Sequence, residues 1–230
     1  MDDIDPWLAS NISLAAQGAS VMLSLAPSFA MIDVFKAKST GQRPLLPYSA
    51  TFVNGVTWTC YGLLANNPEV VLTNSFQALC GFTCCCIFAV NMPINTDNLP
   101  FTFKHHFVFA CVWGLVLAAI ILLNDEVVAC DLLGKLGCCI CVVMYSGPMA
   151  AIQTVVQSRS TAILSFPYTV ATTVNCTLWF FMGVLVSKDF YIWSPNVLGL
   201  AAAAIQFALF AVYRKGKKSV KDEAGAGLLL

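Results

Sequence analysis

The feature that most constrains this chain is an internal repeat laid over membrane-length apolar stretches. Pro27, Ser39, Thr40, Asn54, Trp58 and Gly62 recur as Pro148, Ser160, Thr161, Asn175, Trp179 and Gly183, each 121 residues further on. Pro47-Tyr48 recurs as Pro167-Tyr168 one residue short of that offset, and Asn74 recurs as Asn196 one residue long. Apolar helices resemble one another by composition, but an ordered series of Pro, Asn, Trp and Gly does not repeat by chance. Repeated bundles of this kind are common in transporters, where the solute sits between the repeats.

Only 10% of the 230 residues are charged and 58% are hydrophobic, whereas a soluble domain is about a quarter charged. Seven stretches, near 8–32, 45–65, 69–91, 105–123, 128–153, 163–186 and 190–213, are long and apolar enough to cross a bilayer, which takes roughly 20 residues each. Little chain is left outside them, which excludes a separate soluble catalytic domain. The acidic start Met1-Asp2-Asp3 lacks the basic region of a cleavable signal peptide. The first helix is therefore expected to insert and stay.

These stretches predict an all-α membrane protein of seven transmembrane helices, arranged as two parallel triple-helix bundles joined by a linker helix (3+1+3). The parsing places the first bundle at 1–91, the linker helix at 92–127, the second bundle at 128–213 and a cytoplasmic tail at 214–230. A three-helix unit crosses the membrane an odd number of times, so two joined directly would point in opposite directions. One added crossing restores parallel orientation, the class of repeat related by an axis along the membrane normal. The cations are sorted accordingly. Lys36, Lys38, Arg43, Lys104, Arg159 and the cluster Arg214 to Lys221 share one side, and only Lys135 and Lys188 lie on the other. The positive-inside rule then puts the N-terminus outside and the C-terminus in the cytoplasm. The basic tail reads as a topology anchor and not as a nucleic-acid site. Asn11-Ile12-Ser13 and Asn175-Cys176-Thr177 match the glycosylation sequon but fall within spans.

Helix rise gives depth. Trp58 lies about 20 Å from the cytoplasmic end of its span at 1.5 Å per residue, and Asn74, entering from outside, comes to nearly the same level. Trp179 and Asn196 fall within about a turn of it by the same count. Two Trp and two Asn thus meet just outside the midplane. Taken singly, Trp fills core volume and Asn joins helices. Their repetition at matched depth favours a binding site, because polar groups deep in a membrane are costly and functional. Indole faces pack on the C–H faces of a pyranose, and Asn amides both donate to and accept from hydroxyls, so a sugar fits. Pro27, Pro47, Pro148 and Pro167 form a second level near the cytoplasmic side. There proline, which removes a backbone hydrogen bond, would give hinges around an inner gate. The alternative for these prolines is plain helix starts and loop turns, and it is strongest for Pro44 and Pro47.

No carboxylate sits near the midplane, and proton-coupled carriers need a buried titratable group, so uncoupled downhill transport is favoured. Asp131 and Lys135, one turn apart, are placed to pair near the outer mouth. The eleven cysteines lie mostly inside spans, and none has the paired spacing of a zinc site. They read as small apolar packing residues. Neither Asn nor Trp performs covalent chemistry, so the chain is not read as an enzyme, and no cofactor or metal is called for.

The residues also carry a resemblance. Leu25-Ala26-Pro27-Ser28, Lys38-Ser39-Thr40-Gly41, Leu46-Pro47-Tyr48, Asn54 and Tyr61-Gly62 resemble the first repeat of a eukaryotic SWEET (MtN3/saliva) sugar transporter. Met144-Tyr145-Ser146-Gly147-Pro148, Arg159-Ser160, Trp179, Gly183 and Ser194-Pro195-Asn196 resemble the second. The resemblance implies a seven-helix uniporter of mono- or disaccharides. Asn74 and Asn196 would contact the sugar, Trp58 and Trp179 would flank it, and Pro27, Pro47, Pro148 and Pro167 would form the bending tetrad. Tyr61 would lie near the outer gate, and self-association into a homo-oligomer is expected. Met182 stands where the second repeat often has Tyr, and Pro167 lies about two residues later than in typical plant members.

The reading is a facilitative, bidirectional sugar uniporter of the lipid bilayer working by alternating access. A hexose is favoured because two Trp narrow the pocket. The plasma membrane is the default location, with vacuolar and Golgi membranes as alternatives. The rivals are a coupled carrier of the PQ-loop type, whose Pro-Gln dipeptide is missing here, a seven-helix receptor, and a trafficking partner using only the bundle surface.

Overall fold

The computed structural model describes residues 4–41, 43–92 and 103–213. Within them the chain is all-helical, without strands. The helices are α1 (Pro6–Ala37), α2 (Leu46–Leu64), α3 (Pro68–Asn91), α4 (Phe103–Leu123), α5 (Glu126–Met144), α6 (Ser146–Ser158), α7 (Phe166–Phe181) and α8 (Phe190–Val212), with a π turn at Met182–Val186 continuing α7. Every expected span is recovered, the fifth as α5 and α6 in series. The cytoplasmic tail expected at 214–230 lies outside the described residues.

The helices start where the side chains dictate. Asp5 accepts from the amides of Trp7 and Leu8, Asn67 from Val70, Asp125 from Val127 and Val128, Ser165 from Tyr168, and Asp189 from Tyr191. Each satisfies donors that a helix N-terminus leaves unpaired. Six membrane-length helices are apolar enough to span by composition alone. The exception is α2, which carries Ser49, Thr51, Asn54, Thr57 and Thr59. Its threonines bond back to the helix itself, Thr51 to the Pro47 carbonyl, Thr57 to Val53 and Thr59 to Gly55, at 2.7–2.8 Å. That pairing lets a polar helix sit where water is absent. The chain is a multi-pass membrane protein.

The repeat is visible in the backbone. Lys38 and Arg159 take left-handed conformations (φ 49° and 51°) just past α1 and α6, and Asn66 and Lys188 do so (φ 49° and 52°) between the next helices. The Gly62 carbonyl accepts the Asn67 amide at 2.9 Å, and the Gly183 carbonyl accepts the Asp189 amide at 2.8 Å. Asn67 and Asp189 then cap α3 and α8 in turn. The second repeat has one residue more between that glycine and that cap, and the π turn holds it. A π turn is how a helix absorbs one inserted residue without losing its direction.

By contact the chain forms two compact units, one of residues 1–20 and 138 onward, the other of residues 21–137. In the latter, α2 and α3 approach so closely that a Cβ on Gly55 would lie 2.7 Å from the Ala78 amide, and one on Gly81 2.6 Å from that of Phe52. Small residues permit such contact between helices in lipid. Met31 and Val34 of α1 pack with Leu45, Tyr48, Cys84 and Phe88. The linker helix α4 is fastened to α2 at two levels, by Trp113 Nε1 donating to Thr57 Oγ1 at 2.9 Å and by His106 Nδ1 against Ser49 Oγ at 2.8 Å. Its other faces expose Phe107, Phe109, Leu115 and Leu122, as a helix solvated by lipid does.

In the other unit, Phe166 of α7 meets Phe207 and Phe210 of α8 edge-on at 5.8 and 5.3 Å, and Thr169 donates to Gln206 at 2.8 Å. Tyr145 Oη lies 3.8 Å from Cys176 Sγ. Both contact Gly199, where a Cβ would come within 2.5 and 2.6 Å of them. Cys138 reaches the Tyr191 carbonyl and Ser194. These cysteines pack and bond weakly, as small apolar side chains do.

Candidate functional site

Each unit carries one half of the expected constellation. In the unit of residues 21–137, Trp58 and Tyr61 are buried. Their rings meet edge to face, 5.4 Å apart at 84°. Gly137 of α5 lies against the indole, and a Cβ there would sit 2.8 Å from its ring. Asn74 is half-buried and donates its amide N–H to the Val70 carbonyl at 2.9 Å.

In the other unit, Trp179 donates its indole N–H to Ser20 Oγ at 2.6 Å, and Ser20 donates in turn to Asn175 Oδ1 at 2.9 Å. One hydroxyl thus accepts from α7 and donates to α7, joining the N-terminal half of α1 to the second repeat. Asn196 is half-buried and donates to the Ile192 carbonyl at 2.7 Å. Asn74 and Asn196 are therefore held alike. Each spends an N–H on the carbonyl four residues earlier, which fixes the amide plane. The amide oxygen of each has no partner among the described residues. An amide presented this way still accepts and donates, which hydroxyl recognition needs.

Two participants, Ser20 and Gly137, were not singled out from the sequence. Neither belongs to the identically repeated series, since Cys141 and Ala16 stand at the matching positions. The repeated Asn175 was the available signal, and it leads to Ser20 only through a contact 155 residues apart.

The prolines divide into two kinds. Pro27 lies within α1, helical on both sides. Pro148 is the third residue of α6, just after the break at Tyr145. A proline opposes the carbonyl four residues before it, and for Pro148 that residue is Met144, where α5 ends. Pro47 and Pro167 each stand second in their helices, a place where a missing N–H costs nothing. They begin α2 and α7 and do not interrupt them.

Among the described residues no group of three His, Cys, Asp or Glu side chains is placed to hold a metal ion. Asp33 is exposed near the C-terminal end of α1. Asp131 and Lys135 pair at 2.6 Å on an exposed face of α5; an exposed i,i+4 pair contributes only about 0.3–0.5 kcal/mol.

Comparison with known proteins agrees with the duplication of the chain. Residues 10–96 and 131–218 each match the family described as "Sugar efflux transporter for intercellular exchange" (MtN3_slv), two copies set apart by the same 121 residues as the repeat. The chain is 30% identical to the bidirectional sugar transporter SWEET12 of Oryza sativa subsp. japonica, across 90% of this chain and 69% of that one. It is 28% identical to the bidirectional sugar transporter N3 of Medicago truncatula, across 95% and 82%. Its fold is similar to the structure of a eukaryotic SWEET transporter with a TM-score of 0.79, at 25% identity, across 88% of this chain and 95% of that one. Matched twice by one family and sharing its fold, the chain belongs to the MtN3/saliva (SWEET) family.

Proposed function

We propose that the chain is a facilitative, bidirectional sugar carrier working by alternating access, with a hexose as the favoured substrate. The observation that carries this is the paired half-site. One buried Trp and one half-buried Asn, with the Asn side chain held by the same i−4 hydrogen bond, occur in each unit. Asn74 and Asn196 bind hydroxyls, and Trp58 and Trp179 flank the ring. The moving parts are the repeats 1–91 and 128–213, with 92–127 between them. Pro27 and Pro148 supply the bends, Pro47 and Pro167 the rigid helix starts of the inner gate, and Tyr61, edge-on to Trp58, the outer closure. The relatives are themselves named bidirectional sugar transporters, which supports a carrier without a fixed direction. The sorted cations support an outside N-terminus and a cytoplasmic C-terminus. Self-association and the plasma membrane complete the proposal.

The test is counterflow of labelled glucose and sucrose into proteoliposomes, with and without a pH gradient. Saturable exchange of glucose, unaffected by the gradient, is the expected result. Exchange that needs the gradient would favour a coupled carrier and make Asp33 the first residue to replace. No exchange of either sugar by folded protein would overturn the substrate class.

A further inference from the structure

A cavity of about 330 Å³ opens between the ends of α1 and α3, lined by Phe35, Lys38, Ser39, Val90, Asn91 and Met92. It is separate from the paired Trp and Asn residues and has no part in the transport cycle described above. We propose that it is a binding site for an anionic glycerophospholipid, with the headgroup phosphate on Lys38 and Ser39 and an acyl chain against Phe35 and Val90. The inference rests on the topology proposed above, which puts this end of α1 at the cytoplasmic surface.

The cavity is divided by chemistry. Lys38, Ser39 and Asn91 supply donors, and Asn91 commits one N–H to the Ile87 carbonyl at 2.8 Å. Ser39 Oγ accepts from the Gly41 amide at 3.2 Å, so its own hydrogen stays free to donate outward. Phe35 and Val90 are 64% and 77% exposed, which suits side chains facing hydrocarbon. The volume exceeds what a bare phosphate needs and lies at the lower end of small-ligand pockets, about 300–1,000 Å³.

Charge complementarity selects the lipid. Residues 31–48 hold Lys36, Lys38 and Arg43 against Asp33 alone. Basic pockets between helix ends on the cytoplasmic side suit anionic headgroups. Lys38 is also held in place: it takes the left-handed conformation (φ 49°) that usually falls to glycine after a helix, while the Ser39 amide closes the turn on the Val34 carbonyl at 3.3 Å. A cation here also complements the helix dipole, which accounts for a charge but not for the cavity beside it. A lipid seated there bridges α1 and α3 on the cytoplasmic side of Pro27, the part of α1 that moves when the helix bends.

The experiment titrates the purified full chain, in a neutral detergent, with short-chain phosphatidylserine, short-chain phosphatidylcholine or inorganic phosphate, counting bound lipid by native mass spectrometry. Neither transport activity nor membrane orientation enters the reading, so its failure is distinct from theirs. Phosphatidylserine is expected to bind more tightly than phosphatidylcholine. Lys38→Gln should weaken it about fivefold, the loss of one lysine's attraction, while Lys38→Arg retains it. Phe35→Gln should weaken phosphatidylserine but leave phosphate unchanged. Equal affinity for the two lipids, or an unchanged Lys38→Gln, would overturn the assignment, the latter passing the headgroup to the basic tail. Phosphate binding as tightly as phosphatidylserine would make this a free-phosphate site and overturn the lipid.

Discussion

Trp179 and Ser20 share a hydrogen bond of 2.6 Å although 159 residues separate them. The indole has one N–H and no other polar atom, so Ser20 decides whether that donor is satisfied. Leaving a buried donor unpaired costs about 1–3 kcal/mol.

Ser20→Ala should therefore destabilise the folded protein by about 1–2 kcal/mol and raise the sugar KM. In a double-mutant cycle with Trp179→Phe, the second substitution should add little to the first. Thermal unfolding and counterflow on the four proteins check this. Strictly additive losses would mean that the two side chains are not coupled.

Asn74→Ala and Asn196→Ala should each abolish exchange while the protein still elutes as a folded species. Among the described residues the Asn side chains bond only to their own helices and to a neighbouring threonine, so removing one leaves the packing between helices intact. Wild-type rates in either variant would remove both residues from the site.

Gly137→Ala should be damaging where Gly114→Ala is harmless. A Cβ at 137 falls 2.8 Å from the Trp58 ring, whereas nothing lies within 4 Å of one at 114. Overpacking of this kind costs about 1–3 kcal/mol, and alanine inside a helix gains roughly 0.5–1 kcal/mol over glycine. Melting temperatures of the two variants should move in opposite directions, with transport lost only in the first.

Pro148→Ala restores an N–H opposite the Met144 carbonyl, where α5 now ends. The break at Tyr145 should close, with slower amide exchange across 144–148 and a turnover that falls more than affinity does. Pro27→Ala should slow turnover without that local change in protection, because α1 is already continuous there. Equal exchange protection in wild type and Pro148→Ala would remove proline as the cause of the break.

Much of the molecule was legible in the chain. The spans were readable because lipid demands long uninterrupted apolar helices, and the repeat because a duplicated residue stands out against apolar filler. Pro47 and Pro167 show the limit. A proline near a helix start and one inside a helix look the same in a string, and only the backbone hydrogen bonds separate them. The cysteines show it as well. Cys176 and Cys138 were read as packing residues, yet their particular neighbours, Tyr145 over Gly199 and the Tyr191 carbonyl, are contacts between distant helices.

The sequence by itself determined the number of spans, the repeat and the residue types of the candidate site, because periodicity, hydrophobic length and helix capping are local properties. It also recorded that Asn196 falls one residue beyond the repeat. Only the tertiary structure decided how the inserted residue before Asp189 is housed, in a π turn at Met182–Val186 that keeps Gly183 bonded to Asp189 as Gly62 is to Asn67. It likewise decided that Ser20 and Gly137 stand beside the two tryptophans. Such partners are set by how helix surfaces meet, and that depends on side chains far apart in the chain.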